Sequence, residues 1–179
     1  MARTQSPLSL EYILLGFIRQ EPIHGYDLYK RLKESEGILL IWRMKQSQVY
    51  ALLDKLEKGD LIHSAAVQGD NYLRRKQFHI TPKGKQIFQE WATCPVAHGR
   101  DMRQEFLAKL YFAQASRDKS LSCLIEKQIL VCQEWMADLT ASYSSKQNKP
   151  TFGKLILEYR ISQTNAMIEW LQKCLSGHP

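Results

Sequence analysis

At 179 residues the chain can bury a real core and suits one ordinary domain, or a small domain with an appended helical part. It holds 25 Lys and Arg against 18 Asp and Glu, for a net charge of +7, and residues 41–85 alone carry nine basic side chains against four acidic ones; a field of that sign suits a polyanionic partner. No apolar run approaches a membrane span and no leader pattern opens the chain. The four cysteines (Cys94, Cys123, Cys132, Cys174) show neither CxxC nor zinc-finger spacing. Neither a membrane nor a disulfide-scaffold class is therefore expected, and a reduced, soluble, cytoplasmic protein is, with Cys123, Cys132 and Cys174 as buried small apolar residues of helices.

Ser6-Pro7 or Ser9 can start a first helix, with Leu10, Ile13, Leu14, Phe17 and Ile18 on its apolar face. Glu21-Pro22 breaks it. Ile23-His24-Gly25-Tyr26 reads as a tight junction into a second helix with Tyr26, Leu28, Tyr29 and Leu32 apolar, ended by Gly37. Ile38–Trp42 reads as a short apolar connection. Next comes RMKQSQVYALLDKLEKGDLI at 43–62, where Val49, Leu52, Leu53 and Leu56 recur at i, i+3, i+4 and i+7. This spacing predicts a helix that packs by one face and leaves Ser, Gln, Tyr and Lys on the other, the chemistry suited to base edges and phosphates. Gly59 is expected to stop it through a positive φ.

Two strand-like runs follow, Leu61–Gln68 and Tyr72–Ile80, joined by the turn residues Gly69-Asp70-Asn71. Alternation puts Arg74, Lys76, Phe78 and Ile80 on one face of the second. Thr81-Pro82 opens a further helix to about Trp91. Three helices, a hairpin with a cationic return strand and another helix make a winged helix-turn-helix over residues 1–93. A linker at 94–102 contains Pro95 and Gly99. Residues 103–179 then read as entirely helical, with seams at Leu121 to Tyr143 and at Phe152, Leu155, Ile156, Tyr159, Met167, Trp170, Leu171 and Cys174. The polar stretch Ser144–Pro150 separates these seams, and faces so wide need each other, a second subunit, or both. The class is mainly α with a small β wing.

The stretches LSLEYILLGFI (8–18), PIHGYDLYKRL (22–32), QVYALLDKLEKGDLI (48–62) and RRKQFHITPKG (74–84), in that order, resemble the PadR (phenolic-acid decarboxylase regulator) family of transcriptional regulators. FLAKLYFA (106–113) and MIEWLQKCL (167–175) are similar to its longer-tailed branch. The resemblance implies a homodimeric repressor bound to double-stranded DNA, its C-terminal helices shared between subunits and its half-sites about one turn of DNA apart. Tyr50 matches the family's tyrosine on the recognition helix, implying a phosphate contact. Arg74, Arg75 and Lys76 match the basic return strand of the wing. Lys45 departs from the family's usual Ser or Thr cap.

Gln46, Ser47 and Gln48 are the expected base readers; Lys45, Tyr50, Lys55, Arg74, Arg75 and Lys76 are expected to contact the DNA backbone. Trp42, Trp91, Trp135 and Trp170 raise a pocket for a small aromatic effector, against plain dimer core as the alternative. His63 and His79 are placed to neighbour each other across the wing, but two imidazoles alone make no metal site. No Gly-rich phosphate loop, GxSxG or HExxH occurs, and neither enzyme chemistry nor a cofactor is expected. A winged-helix adaptor for protein contacts is the competing reading.

Overall fold

The computed structural model describes residues 9–68, 74–115, 119–145 and 151–177. Its helices are α1 (Ser9–Gln20), α2 (Gly25–Glu34), α3 (Glu36–Ile41), α4 (Gln46–Lys58), α5 (Pro82–Thr93), α6 (Glu105–Ala115), α7 (Ser120–Ser144) and α8 (Phe152–Leu175), with a 3-10 turn at Gly99–Arg103. Strands β1 (Ile23–His24), β2 (Ile62–Gln68) and β3 (Arg74–Ile80) form an antiparallel sheet in the order β1-β3-β2. The expected winged helix-turn-helix with a helical C-terminal part is present. The expected turn at Gly69–Asn71 lies outside the described residues, as do Ser6-Pro7.

The chain divides into two compact units. One comprises Met1–Thr93 with Leu107–Ala115, the other Cys94–Phe106 with Ser116–Pro179. The helical region expected from residue 103 onward thus cedes Leu107–Ala115 to the first unit. The cause is aromatic: Phe112 sits edge-on to Phe17 and Phe88, and Tyr111 Oη accepts a 3.0 Å bond from Ser35 Oγ.

The core of the first unit gathers Ile13, Leu14, Phe17 and Ile18 of α1, Leu28 and Leu32 of α2, Val49, Leu53 and Leu56 of α4, Phe78 of β3 and Phe88 of α5. Two junctions differ from the sequence reading. Ile23 and His24 form a strand, pairing Ile23 with Phe78 and His24 with Gln77; two residues are too few for alternation to reveal. Ile38–Trp42 is not a connection, because Glu36–Ile41 is helical, with Ile38 buried. Gly37 lies inside that helix rather than ending α2. A Cβ there would approach the Tyr111 ring to 3.2 Å, so the residue serves close packing.

In the second unit α7 and α8 run antiparallel. Tyr143 Oη donates to Glu158 at 2.7 Å, while Trp135 and Leu139 face Gln163 and Met167. α8 buries Leu157, Thr164 and Leu171, a seven-residue spacing. Of the expected stripe, Phe152, Leu155, Ile156, Tyr159 and Trp170 are exposed, Met167 and Cys174 are half-buried, and Leu171 is buried. Cys132 is buried, but Cys123 is exposed, against the expectation of burial.

Candidate nucleic-acid interface

α4 is seated by three buried side chains, Val49, Leu53 and Leu56, with Leu52 half-buried. Gln46, Ser47, Gln48, Ala51, Asp54, Lys55 and Lys58 are exposed around the rest of its circumference. Lys45 precedes the helix in an extended conformation (φ −81°, ψ 151°), and its side chain makes no cap hydrogen bond. Gln48 reaches back instead: its Oε1 accepts the Lys45 backbone N–H at 2.9 Å. That is one half of a capping box, and it secures the first turn that a lysine cap leaves weak. Gln48 is thereby occupied by the helix start, which leaves Gln46 and Ser47 as the uncommitted polar residues of that turn.

The far end of α4 closes differently from the expectation. Gly59 has φ −85°, and the positive φ belongs to Asp60 (φ 56°). Leu61 N–H bonds to Leu56 O at 3.0 Å and Asp60 N–H to Glu57 O at 3.1 Å, the paired bonds of a Schellman motif with Asp60 as its left-handed residue. Aspartate tolerates that region better than most side chains, so the stop lies one residue later than the glycine suggests.

Tyr50 is 41% exposed, and its ring lies on α2: a Cβ at Gly25 would come within 2.9 Å of it. Gly25 is therefore the contact through which α2 and α4 approach. The same contact forms the floor of a cleft of about 620 Å³ that includes Tyr26, Asp54 and Lys76. Tyr26 is 60% exposed in the first turn of α2. Helical spacing assigned it to the apolar face, and only the position of α4 reveals it as a solvent-facing hydroxyl beside Tyr50. His24 Nδ1–H donates to Lys76 O at 3.0 Å, tying this rim to the wing.

The cations divide into two kinds. Lys55 Nζ bonds to Glu11 Oε1 at 2.5 Å, and Glu11 is a buried carboxylate of α1. Lys55 thus clips α4 to α1. Lys76 is exposed and lies only loosely against Glu57, at 3.9 Å. Glu57 Oε1 accepts the Ser64 N–H at 3.0 Å, so this carboxylate joins α4 to β2. That hydrogen bond, helped by Lys76 and His63 nearby and opposed by partial burial, holds the Glu57 carboxyl below its usual range. Arg74 and Arg75 pair by backbone with Gln68 and Val67; their side chains lie outside the described residues. His63 and His79 stack across the strands at 5.1 Å, as their spacing suggested, and no cluster of three potential metal ligands exists among the described residues.

The four tryptophans fall in separate settings. Trp42 lines an apolar cleft of about 300 Å³ with Tyr29, Leu39 and Met44. Trp91 is buried, stacked on Tyr12 at 4.9 Å with the Lys109 ammonium over its ring. In the second unit, Trp135 lines a cavity of about 650 Å³, and Trp170 packs edge-on to Phe106.

Residues 14–90 match the Transcriptional regulator PadR-like family, and residues 102–177 match the family described as Virulence activator alpha C-term. Residues 14–90 belong to the PadR-like family of transcriptional regulators. The Negative transcriptional regulator PadR of Bacillus subtilis (strain 168) is 28% identical over 177 residues, covering 93% of this chain and 96% of that protein. The crystal structure of Bacillus subtilis PadR in complex with operator DNA is similar at 27% identity and TM-score 0.47, covering 93% of this chain and 97% of that one. That of the same protein in complex with p-coumaric acid is 26% identical at TM-score 0.43, covering 95% and 98%. The PadR-like match spans α4 and the wing, the elements that carry the exposed polar and cationic residues described above. No helix among the described residues is long and apolar enough to cross a membrane.

Proposed function

We propose that this PadR-like regulator is a sequence-specific repressor, acting from the cytoplasm as a homodimer on a pseudopalindromic operator and released by a small aromatic effector. The single observation that carries the reading is α4: a helix anchored by Val49, Leu53 and Leu56, with exposed Gln46, Ser47 and Tyr50 and a wing strand bearing Lys76. The Bacillus subtilis relative and its complexes with operator DNA and p-coumaric acid support it.

In this reading Gln46 and Ser47 address base edges, while Gln48 holds the helix start. Tyr50, Lys45 and Lys76 contact phosphates, with Arg74 and Arg75 completing the wing. Tyr26 joins them from the first turn of α2, the helix that crosses the DNA backbone in a helix-turn-helix. Lys55 is withdrawn from this set by Glu11. The exposed face of α8, Phe152, Leu155, Ile156 and Tyr159, supports the subunit contact. The test is binding to duplexes from the region upstream of its own gene, measured over a salt series. A preference over scrambled duplex and a steep salt slope are expected; equal affinity for both duplexes refutes specific binding.

A further inference from the structure

The second unit contains a cavity of about 650 Å³ whose lining differs in charge from the rest of that unit. One wall is the segment that follows α5, Ala97 to Arg100 with Arg103. The opposite walls are α7, through Trp135 and Leu139, and α8, through Arg160, Gln163, Thr164 and Met167. Three arginines thus ring a floor of Trp135, Leu139 and Met167. No carboxylate lines the cavity; Asp101, just outside it, pairs with Arg100 at 3.6 Å. Arg103 and Arg160 have no carboxylate partner among the described residues. The uncompensated charge facing the cavity is therefore that of two guanidiniums, over a flat aromatic surface.

We propose that this cavity binds a compact organic dianion with a flat apolar body, the body against Trp135 and Met167 and the two charges on Arg103 and Arg160. Guanidiniums present forked donors that fit carboxylate or phosphate oxygens in pairs. The volume lies in the range of small-molecule sites. The Ala97–Arg103 wall is also the connecting segment itself. It is fastened at Val96, whose N–H and C=O are both taken by the fully buried Gln128 side chain, at 2.7 and 3.3 Å. Gly99 lies close against the floor, where a Cβ would sit 3.9 Å from Trp135 and 4.0 Å from Met167. A bound dianion draws this wall toward α8 by neutralising Arg103 and Arg160, and so acts on the segment leading back to Thr93, the end of α5. This regulatory half rests on the reading of the chain as an effector-released repressor; the binding half does not.

The full chain is titrated, without DNA, with isophthalate and 1-naphthyl phosphate as dianions and with benzoate and 1-naphthol as their less charged counterparts, following tryptophan fluorescence. Saturable quenching by at least one dianion is expected, lost in Trp135→Phe. Each less charged counterpart is expected to bind at least about tenfold more weakly. Arg160→Gln and Arg103→Gln should each weaken the dianion by about tenfold while leaving the sedimentation coefficient unchanged. No saturable signal with either dianion, equal binding of the counterparts, or arginine variants that alter subunit association instead of anion binding would each overturn the site. Operator affinity is measured separately with and without the dianion that binds. A dianion that binds without changing operator affinity overturns the regulatory half alone, whereas failure to bind any operator fragment refutes the repressor reading and leaves the cavity result standing.

Discussion

Asp60 and Glu57 show how single residues set the geometry of the recognition helix. Asp60 holds φ 56° where glycine is the usual occupant, and it puts a negative charge at the negative end of the α4 dipole. Asp60→Gly should therefore raise stability by roughly 0.5–1 kcal/mol, read as a higher midpoint in urea with an unchanged slope; a lower midpoint contradicts the left-handed assignment. Glu57 works through charge. Its folded carboxyl titrates below the usual value, so its contribution is present above the unfolded carboxylate range and fades as pH falls through the depressed folded value. Glu57→Gln should thus be less stable than wild type at neutral pH, the two curves converging in acid; a gap that widens on acidification rejects this sign. At the helix start, Gln48→Ala should cost roughly 0.5–1 kcal/mol of stability and leave the preference between DNA sequences largely intact. A reversed preference without loss of stability would return Gln48 to the base readers.

At the scale of elements, α4, β3 and α5 were legible because their patterns are long. Val49, Leu52, Leu53 and Leu56 announce one helical face, and Thr81-Pro82 announces a start. What stayed hidden depends on neighbours distant in sequence. The strand Ile23–His24 exists only because β3 pairs with it, and α3 is held by Ile38 reaching the core. The division among the lysines was equally invisible: Lys55 and Lys76 read alike as basic residues, yet only Lys55 meets a buried carboxylate. Lys55→Ala should therefore destabilise the fold by roughly 1–3 kcal/mol, since Glu11 is left without its partner, and leave the salt slope of DNA binding unchanged. Lys76→Ala should leave stability nearly intact and reduce that slope by about one. Exchanged outcomes would reverse the two roles.

For the molecule as a whole, the wide apolar faces of the two long helices call for each other, a second subunit, or both, and burial differs between faces of α8. Leu157, Thr164 and Leu171 are buried, whereas Leu155 and Tyr159 remain exposed at 61% and 63%. The sequence stripe picked out Leu155 and Tyr159 but missed Leu157 and Thr164, because Thr164, between Gln163 and Asn165, breaks the apolar heptad of α8. A Leu155→Glu, Tyr159→Glu double variant should sediment as a monomer that keeps its helical content and loses high-affinity operator binding, since single half-sites gain nothing from a tethered twin. The most direct measurement of the central claim is fluorescence anisotropy of the dimer on a duplex from its own upstream region and on a scrambled duplex, at several salt concentrations, with wild type, Tyr50→Phe and Gln46→Ala. Wild type is predicted to prefer its own duplex, with log affinity falling steeply and linearly in log salt. Tyr50→Phe should weaken both duplexes alike, and Gln46→Ala should narrow the gap between them. Equal wild-type affinity for the two duplexes at every salt concentration would contradict the account.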